Sequence, residues 1–379
     1  MLLEYQEKQS MFNIDQEHPL PEKLTPIQSP HVDVIIRIMK NQGLRTSPNK
    51  ANVVELDENS SRYFTLSKDG LLSIFSLDWT LQRSVLLDSV ANRPGGTSIG
   101  NGSGVQSNHL GGSKANTTNV TSVPKSHKTW MSDFVCMPSC SLLAVGSTEY
   151  EIVFYKTSGS IIQKAFAFVQ LSDCALTLDY WFDWHDARKS AIVWGDTRGC
   201  ITIVKFDDMV STSLFTNSTN SKKKSNSGTF AISLQRIIAG EFGDVTCKTF
   251  KLHTDWVRQV RFMMAPGEEV GGLQIVSCCV ADDTALCFSE YSVKLPSIYE
   301  NSSKEAVGKR KKNFRNGVLM QNRKSHFHLR KGILCFDFDI QWNLIVTGSR
   351  DCDIRVWNPY VAKMFGKTKN LYASRYITL

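Results

Sequence analysis

The chain has 379 residues and a mass of 42.6 kDa, and 41% of the residues are apolar, which suffices for one large core or two ordinary domains. Only 21% are charged, so the composition argues against disorder along the whole chain. No apolar run is as long as the roughly 18 residues of a membrane-spanning helix, and the N-terminus lacks the pattern of a secretory signal. Ten cysteines without such a signal predict reduced thiols in an intracellular, cytoplasmic protein.

The net charge of +8 comes from one segment rather than from a basic domain face. Ten Lys or Arg residues and one Glu lie between Lys304 and Lys331, which leaves the rest of the chain near −1. The candidate basic binding loop within this segment is the run Lys309, Arg310, Lys311 and Lys312. We interpret it as a solvated tether, with a nucleic-acid-binding or nuclear-import element as the alternative.

Five stretches share one pattern: an apolar run, a turn with polar residues, and a second run in which apolar and polar residues alternate. The pattern predicts a β-hairpin each time, because Asp-Gly, Arg-Gly and Asp-rich turns reverse the chain and period-two alternation is typical of strands. The hairpins span residues 63–75, 142–155, 191–204, 275–288 and 344–357.

Further segments are predicted to add a first and a fourth strand to these hairpins. Those before a hairpin are residues 128–137, 179–185, 256–262 and 331–338, and those after one are 81–87, 161–168 and 234–240. Repeated units of four antiparallel strands are the blades of a β-propeller. The sequence therefore predicts an all-β fold, a partial β-propeller of about five four-stranded blades.

The predicted boundaries follow the apolar pattern. We expect a flexible lead-in over 1–30, propeller blades over 31–364 and a short tail over 365–379. Stretches poor in apolar residues predict loops without fixed structure at 88–126, 208–229 and 292–326. The blades are predicted at 50–87, 127–168, 175–242, 252–291 and 327–364.

The fifth unit resembles a blade of the WD-repeat family. A family blade carries a His before its first strand, a Ser or Thr in the second, an Asp in the next turn and a Trp at the end of the third. Those positions fall on His328, Thr347, Asp351 and Trp357, with His326 as the alternative for the first. The resemblance implies that these side chains form a hydrogen-bonded chain that locks the blade.

The fourth unit resembles the same pattern less completely. His253, Ser277 and Asp282 fall on the family positions, and Phe288 replaces the Trp. The other three units depart further, and the first shows no matching His. The resemblance therefore depends on recurrence along the chain rather than on any one unit.

The last unit also resembles a subgroup of large WD-repeat proteins, some of which carry calcium-binding EF-hands before the propeller. The chain has no D-x-D-x-D-G-x₅-E loop, so we expect neither calcium nor another cofactor. Members have more than five blades, so we expect a fragment, a short isoform or a truncated product that self-associates through open propeller edges. The subgroup's links to cilia and sperm add the cilium to the nucleus as an alternative location.

Other chemistry finds little support in the sequence. No Cys or His pairs stand at zinc-site spacing, no G-x-S-x-G indicates a nucleophile, and no G-x-x-x-x-G-K-[ST] loop is present to hold phosphate. We predict no metal site, no catalytic residues and no enzymatic activity. The resemblance implies a scaffold for unidentified protein partners, with neither membrane nor nucleic acid expected. The alternative is a nuclear or nucleic-acid-associated factor that acts through residues 304–324.

Overall fold

The structure is a computed structural model. It describes residues 29–47, 53–87, 129–158, 161–209, 211–212, 214, 230–264, 272–292, 322–323, 332–339, 344–358 and 361–368. The chain divides into residues 1–30 and a compact unit of residues 31–379.

Five small sheets in a ring form the blades of a β-propeller, which confirms the predicted fold class. The strands of the first blade are β1 (Ile35–Asn41), β4 (Arg62–Ser67), β5 (Leu71–Phe75) and β6 (Leu81–Leu86), in that order across the sheet. A separate hairpin of β2 (Leu44–Thr46) and β3 (Val54–Leu56) lies between β1 and β4 in the chain. The predicted first blade, 50–87, therefore lacked its innermost strand.

The next two blades follow the same plan. The second contains β7 (Met131–Met137), β8 (Leu142–Ser147), β9 (Glu151–Lys156) and β10 (Gln163–Val169). The third contains β11 (Ala175–Asp183), β12 (Asp186–Asp196), β13 (Cys200–Phe206) and β15 (Val245–Lys251). Strands β8 and β9 are buried along almost their whole length, because both faces of the sheet pack against neighbouring blades.

The last two blades complete the series. The fourth contains β16 (Val257–Met264), β17 (Gly272–Cys279), β18 (Leu286–Ser292) and β19 (Asn322–Arg323). The fifth contains β20 (Cys335–Asp339), β21 (Leu344–Gly348), β22 (Ile354–Asn358) and β23 (Val361–Thr368). The predicted loops 88–126 and 292–326 lie outside the described residues, apart from 292 and 322–323.

The chain between β13 and β15 returns to the second blade. There β14 (Phe230–Ser233) pairs in parallel with β10 and widens that sheet to five strands. A short helix, α1 (Leu234–Ile238), follows and buries Leu234 and Ile237 in the core between the second and third blades. The expected strand over 234–240 is therefore wrong, because apolar residues three apart meet on one face of a helix.

The start of the predicted loop 208–229 also packs on this core. Met209 and Leu214 are buried among its apolar side chains, and Thr212 is buried as well. The rest of that predicted loop lies outside the described residues.

Consecutive blades pack through their innermost strands, from β1 on β7 to β16 on β20. A register shift occurs near the start of the first four innermost strands, and a polar side chain follows each shift: Arg37, Asp133, Thr177 and Gln259. Each reaches one backbone group in the innermost strand of the next blade, at 2.7 to 3.4 Å. The backbone groups belong to Phe134, Leu178, Val260 and Phe336. Arg37 donates to a carbonyl oxygen, whereas the other three side chains accept from an amide group. A hydrogen bond from a side chain of one blade to the backbone of the next thus recurs at all four described interfaces.

Candidate interaction face

His253 links the strands of the fourth blade at one end of the sheet. Its Nε2 lies 2.7 Å from Ser277 Oγ, and its Nδ1 lies 2.7 Å from the Thr284 carbonyl oxygen. The carbonyl accepts from Nδ1–H, so the Ser277 hydroxyl donates to Nε2 of a neutral ring. Burial lowers the pKa of His253 to about 4, which keeps the ring neutral. The structure therefore brings together the predicted His253 and Ser277.

The predicted carboxylate of this blade lies elsewhere. Asp282 is exposed in the turn between β17 and β18, while the Thr284 carbonyl takes the remaining nitrogen of His253. The backbone thus supplies the acceptor that sequence reasoning had assigned to Asp282.

Phe288 does not occupy the position of Trp357. The register of β17 and β18 places Ser289 there, because the preceding turn is longer in the fourth blade than in the fifth. Phe288 instead points toward the fifth blade, where it and Trp357 belong to the same buried apolar cluster. The two aromatic residues therefore lie on opposite faces of their own sheets.

In the fifth blade, the predicted Thr347 and Trp357 are joined directly. Trp357 Nε1 donates to Thr347 Oγ1 at 2.8 Å, and both side chains are buried. Asp351 bonds to Ser349 and to Arg355. The hydrogen bonds from Arg355 lower the pKa of Asp351 well below its usual range. His328 lies outside the described residues, as does its alternative, His326.

The first blade contains a His that sequence reasoning missed. His31 Nε2 lies 2.7 Å from Thr65 Oγ1, and Thr65 is buried. Asp69 in the following turn accepts a hydrogen bond from Ser67 at 2.5 Å. The signal was present in the sequence, because His31 opens a segment, HVDV, that matches HTDW at His253.

Three exposed apolar side chains occupy one equivalent position on this same end of the propeller. Val34, Trp130 and Trp256 immediately precede the first residue of their innermost strands, and they are 66%, 44% and 49% exposed. Cys174 holds the position in the third blade and is buried. We call Val34, Trp130 and Trp256 the apolar rim.

Hydrogen bonds from neighbouring side chains to backbone amides fix the position of the apolar rim. Asp33 and Asp255 accept from the amide groups of Val34 and Trp256 at 2.7 Å, and these hydrogen bonds fix the local turn. Trp130 is held by the Thr148 hydroxyl, which accepts from its amide at 3.1 Å. These bonds orient the side chains without burying them.

Cations lie over both rim tryptophans. Lys68 Nζ is 3.6 Å from the centroid of the Trp130 ring, and Arg258 Cζ is 5.7 Å from that of Trp256. Such contacts limit the rotamers of an exposed ring, so the tryptophans are presented in a defined orientation. Ordered aromatic surface of this kind is typical of protein-binding sites.

A buried ionic cluster links the innermost strands of the first four blades. Arg37 Nη1 is 2.9 Å from Asp133 Oδ2 and also donates to the carbonyls of Phe134 and Leu178. Burial raises the pKa of Asp179, which accepts from the Phe262 amide at 2.7 Å. The cluster joins blades and has the contacts of a structural element rather than of a reaction centre.

The cysteines lie in the described part of the chain as thiols, without disulfide bonds. Burial raises the pKa of the Cys136 and Cys287 thiols to about 12, so these two cysteines are poor nucleophiles at neutral pH. Among the described residues, no group of three or more His, Cys, Asp or Glu side chains is arranged to hold a metal ion.

Two further predictions concern surfaces beyond the propeller core. The basic loop, Lys309 to Lys312, lies outside the described residues. In the part of the chain that the structure describes, no helix has the length and apolar character needed to cross a bilayer.

No protein-family model matches the chain. The chain is similar to the WD repeat-containing protein on Y chromosome of Anopheles gambiae, with 26% identity over 243 residues. The alignment covers 63% of the chain but only 20% of that protein, so the chain spans about a fifth of the relative's length. The five-bladed propeller and this similarity are both consistent with the WD-repeat family, and with the subgroup that the fifth unit resembles.

Proposed function

We propose that the chain is a non-enzymatic, cytoplasmic interaction scaffold that binds another protein through the apolar rim. The observation that carries this proposal is the exposure of Val34, Trp130 and Trp256 at one equivalent position in three blades. Large side chains repeated at an exposed position do not contribute to the core. A surface role explains their recurrence.

The energetics of binding favour such a site. Tryptophan is enriched among residues that dominate binding energy, because it buries a large area with little loss of side-chain entropy. Burial of a half-exposed Trp by a partner is worth about 1–2 kcal/mol from apolar area alone. The sheets beneath the rim are joined by cross-blade hydrogen bonds. Because these strands are already ordered, binding of a partner costs little conformational entropy.

A capture experiment with matched variants tests this function. The whole chain and its Trp130→Ala/Trp256→Ala double variant are used to retain proteins from cells that express the chain naturally. Ile161→Ala is the control, because Ile161 is 59% exposed in the loop before β10, away from the rim. We expect proteins retained by the wild type and the control to be lost with the double variant. Equal retention by all three would refute the rim as the binding site.

We also propose that the chain is part of a larger propeller protein. Its relative is much longer than the matched segment, which accounts for only 20% of that protein. The first blade supports the same view, because Ile38 in its innermost strand is 53% exposed, whereas the residues at the equivalent position in the other four blades are buried. Identification of the complete transcript tests this proposal directly, and further hairpin units of the same pattern are the expected result.

A further inference from the structure

Each of the first four blades places a carboxylate beside the position that the apolar rim occupies. Asp33, Asp173 and Asp255 stand immediately before that position in the first, third and fourth blades, and each accepts from the next backbone amide at 2.7 to 2.8 Å. In the second blade Glu149 supplies the carboxylate, and its Oε1 accepts at 3.2 Å from Oγ1 of Thr129, the residue before the rim position. Negative charge therefore borders this position in all four blades.

In the third blade, this negative charge is neutralised within the chain. Asp173 Oδ2 accepts from Arg198 Nε at 2.7 Å, and the neighbouring Cys174 is buried. In the fourth blade the rim residue is exposed, and no cation in the described part of the chain lies within ion-pair distance of Asp255. The blade that hides its rim position thus pairs its carboxylate, whereas the fourth blade leaves both open.

Two further carboxylates lie close to Trp256. Asp283 Oδ1 accepts at 3.2 Å from the hydroxyl of the threonine that precedes Asp255, and Asp282 is exposed beside it. Among the residues that the structure describes, neither makes an ion pair. The only cation over the ring is Arg258. Three carboxylates and one guanidinium leave a net negative charge around this tryptophan.

The contact at Trp130 shows which chemistry a rim tryptophan binds. The Lys68 ammonium lies 3.6 Å from the ring centroid and makes no ion pair with a described carboxylate. The tryptophan is nevertheless 44% exposed, so a part of its surface stays open. A Lys or Arg side chain from a partner gains the same attraction to the ring, and nearby carboxylates strengthen it.

We infer that the apolar rim binds a segment of a partner protein rich in Lys and Arg, with cationic side chains beside Trp130 and Trp256. The inference rests on the proposed function and names the chemistry of the partner. The methylene stems of Lys and Arg pack on the exposed rings, while their charged ends reach the carboxylates. A nucleic acid does not fit this surface, because its phosphates would face the same carboxylates.

Selection from a random peptide library tests the inference. Phage that display random peptides are first depleted on the Trp130→Ala/Trp256→Ala variant and then selected on the full chain, so that only rim-dependent peptides are kept. We expect these peptides to contain more Lys and Arg than the unselected library. Their binding should also weaken as salt is added, because ions screen attraction between exposed charges.

The outcomes separate the inference from the proposed function. Rim-dependent peptides without an excess of Lys and Arg would overturn the inference and leave protein binding by the rim intact. An excess of Asp and Glu would overturn it in favour of an acidic partner. Failure to recover any rim-dependent peptide would count against both.

Matched substitutions test the role of the carboxylates. Asp282→Asn should weaken binding of the selected peptides about two- to fivefold, the range expected for one exposed ion pair. Asp207→Asn is the control, because Asp207 is an exposed carboxylate that follows the last residue of β13, at the end of the sheet away from the rim. Equal affinities of the two variants would contradict the inference.

Removal of a cation tests the sign of the partner's charge. Lys68→Gln takes away the ammonium that competes for the Trp130 ring, so peptide binding should be unchanged or tighter. Weaker binding by this variant would mean that Lys68 itself contacts the partner, and would overturn the inference.

Discussion

His31 Nε2 and Thr65 Oγ1 lie 2.7 Å apart, the same separation that joins His253 and Ser277 three blades later. In both the first and the fourth blade, a hydrogen bond between the His ring and a hydroxyl group of the blade's second strand anchors the segment before the innermost strand. This equivalence shows that the first blade begins at His31, ahead of β1, and not near residue 50.

Replacement of His31 should destabilise the propeller. His31→Ala leaves the buried hydroxyl of Thr65 without its imidazole partner, so we expect a loss of about 1–3 kcal/mol in the free energy of unfolding. Urea titration followed by circular dichroism measures the loss. The control is His185→Ala at an exposed turn, which should change the value by no more than about 0.5 kcal/mol. Equal effects of the two substitutions would contradict the assigned role of His31.

Stability should depend on pH through His253. Its pKa in the folded chain is about 4, below the usual 6.5, so the unfolded chain binds the extra proton between those values. The contribution of His253 is complete above about pH 6.5 and is lost as the pH falls toward 4, approaching about 3 kcal/mol. The measurement is the difference between the unfolding free energies of the wild type and of His253→Asn across this range. A difference that does not vary with pH would rule out a buried neutral ring.

Two ion pairs of equal length should differ in their effect on stability. Arg37–Asp133 and Lys40–Glu58 both measure 2.9 Å, but the first is largely buried and the second is exposed. Asp133→Ala removes the carboxylate that contacts Arg37 between blades, together with the acceptor of the Leu178 amide, and should cost about 3–5 kcal/mol. Glu58→Ala should leave the free energy of unfolding almost unchanged, because water screens an exposed pair. Chemical denaturation of both variants provides the comparison, and similar losses would show that burial is not decisive.

Close packing between the third and fourth blades should exclude a methyl group at Gly195. A Cβ atom there would lie 2.3 Å from Val257 Cγ1, so Gly195→Ala forces β12 and β16 apart. We expect a loss of about 1–3 kcal/mol from overpacking. Gly243→Ala is the matched control, because a Cβ atom added there would meet no atom within 4 Å. Thermal melts would refute the argument if the control variant were the less stable of the two.

The hairpins were predictable because their signal is local. Turn residues such as Asp69 and Gly70 and the alternation that follows them specify two strands without reference to the rest of the chain. The hydrogen bond between Thr347 and Trp357 was predictable for the same reason, since both residues belong to one hairpin.

Features that depend on turn length or on tertiary context were not predictable. The longer turn in the fourth blade moved Phe288 out of the position expected for it, and pattern matching cannot detect such a shift. Leu234 and Ile237 fit either a strand or a helix in so short a segment. The exposure of individual side chains was also not predictable from the sequence, because residue type does not distinguish the exposed Trp130 on the rim from the buried Trp194.

The parallel pairing of β14 with β10 determines when the second blade can complete its sheet during translation. Residues 230–233 leave the ribosome only after β11, β12 and β13 have been made, yet they complete the edge of an earlier sheet. The outer edge of β10 therefore stays without its parallel partner while β11, β12 and β13 are translated. A chaperone that shields strand edges would act on this nascent chain between the synthesis of Val169 and that of Ser233.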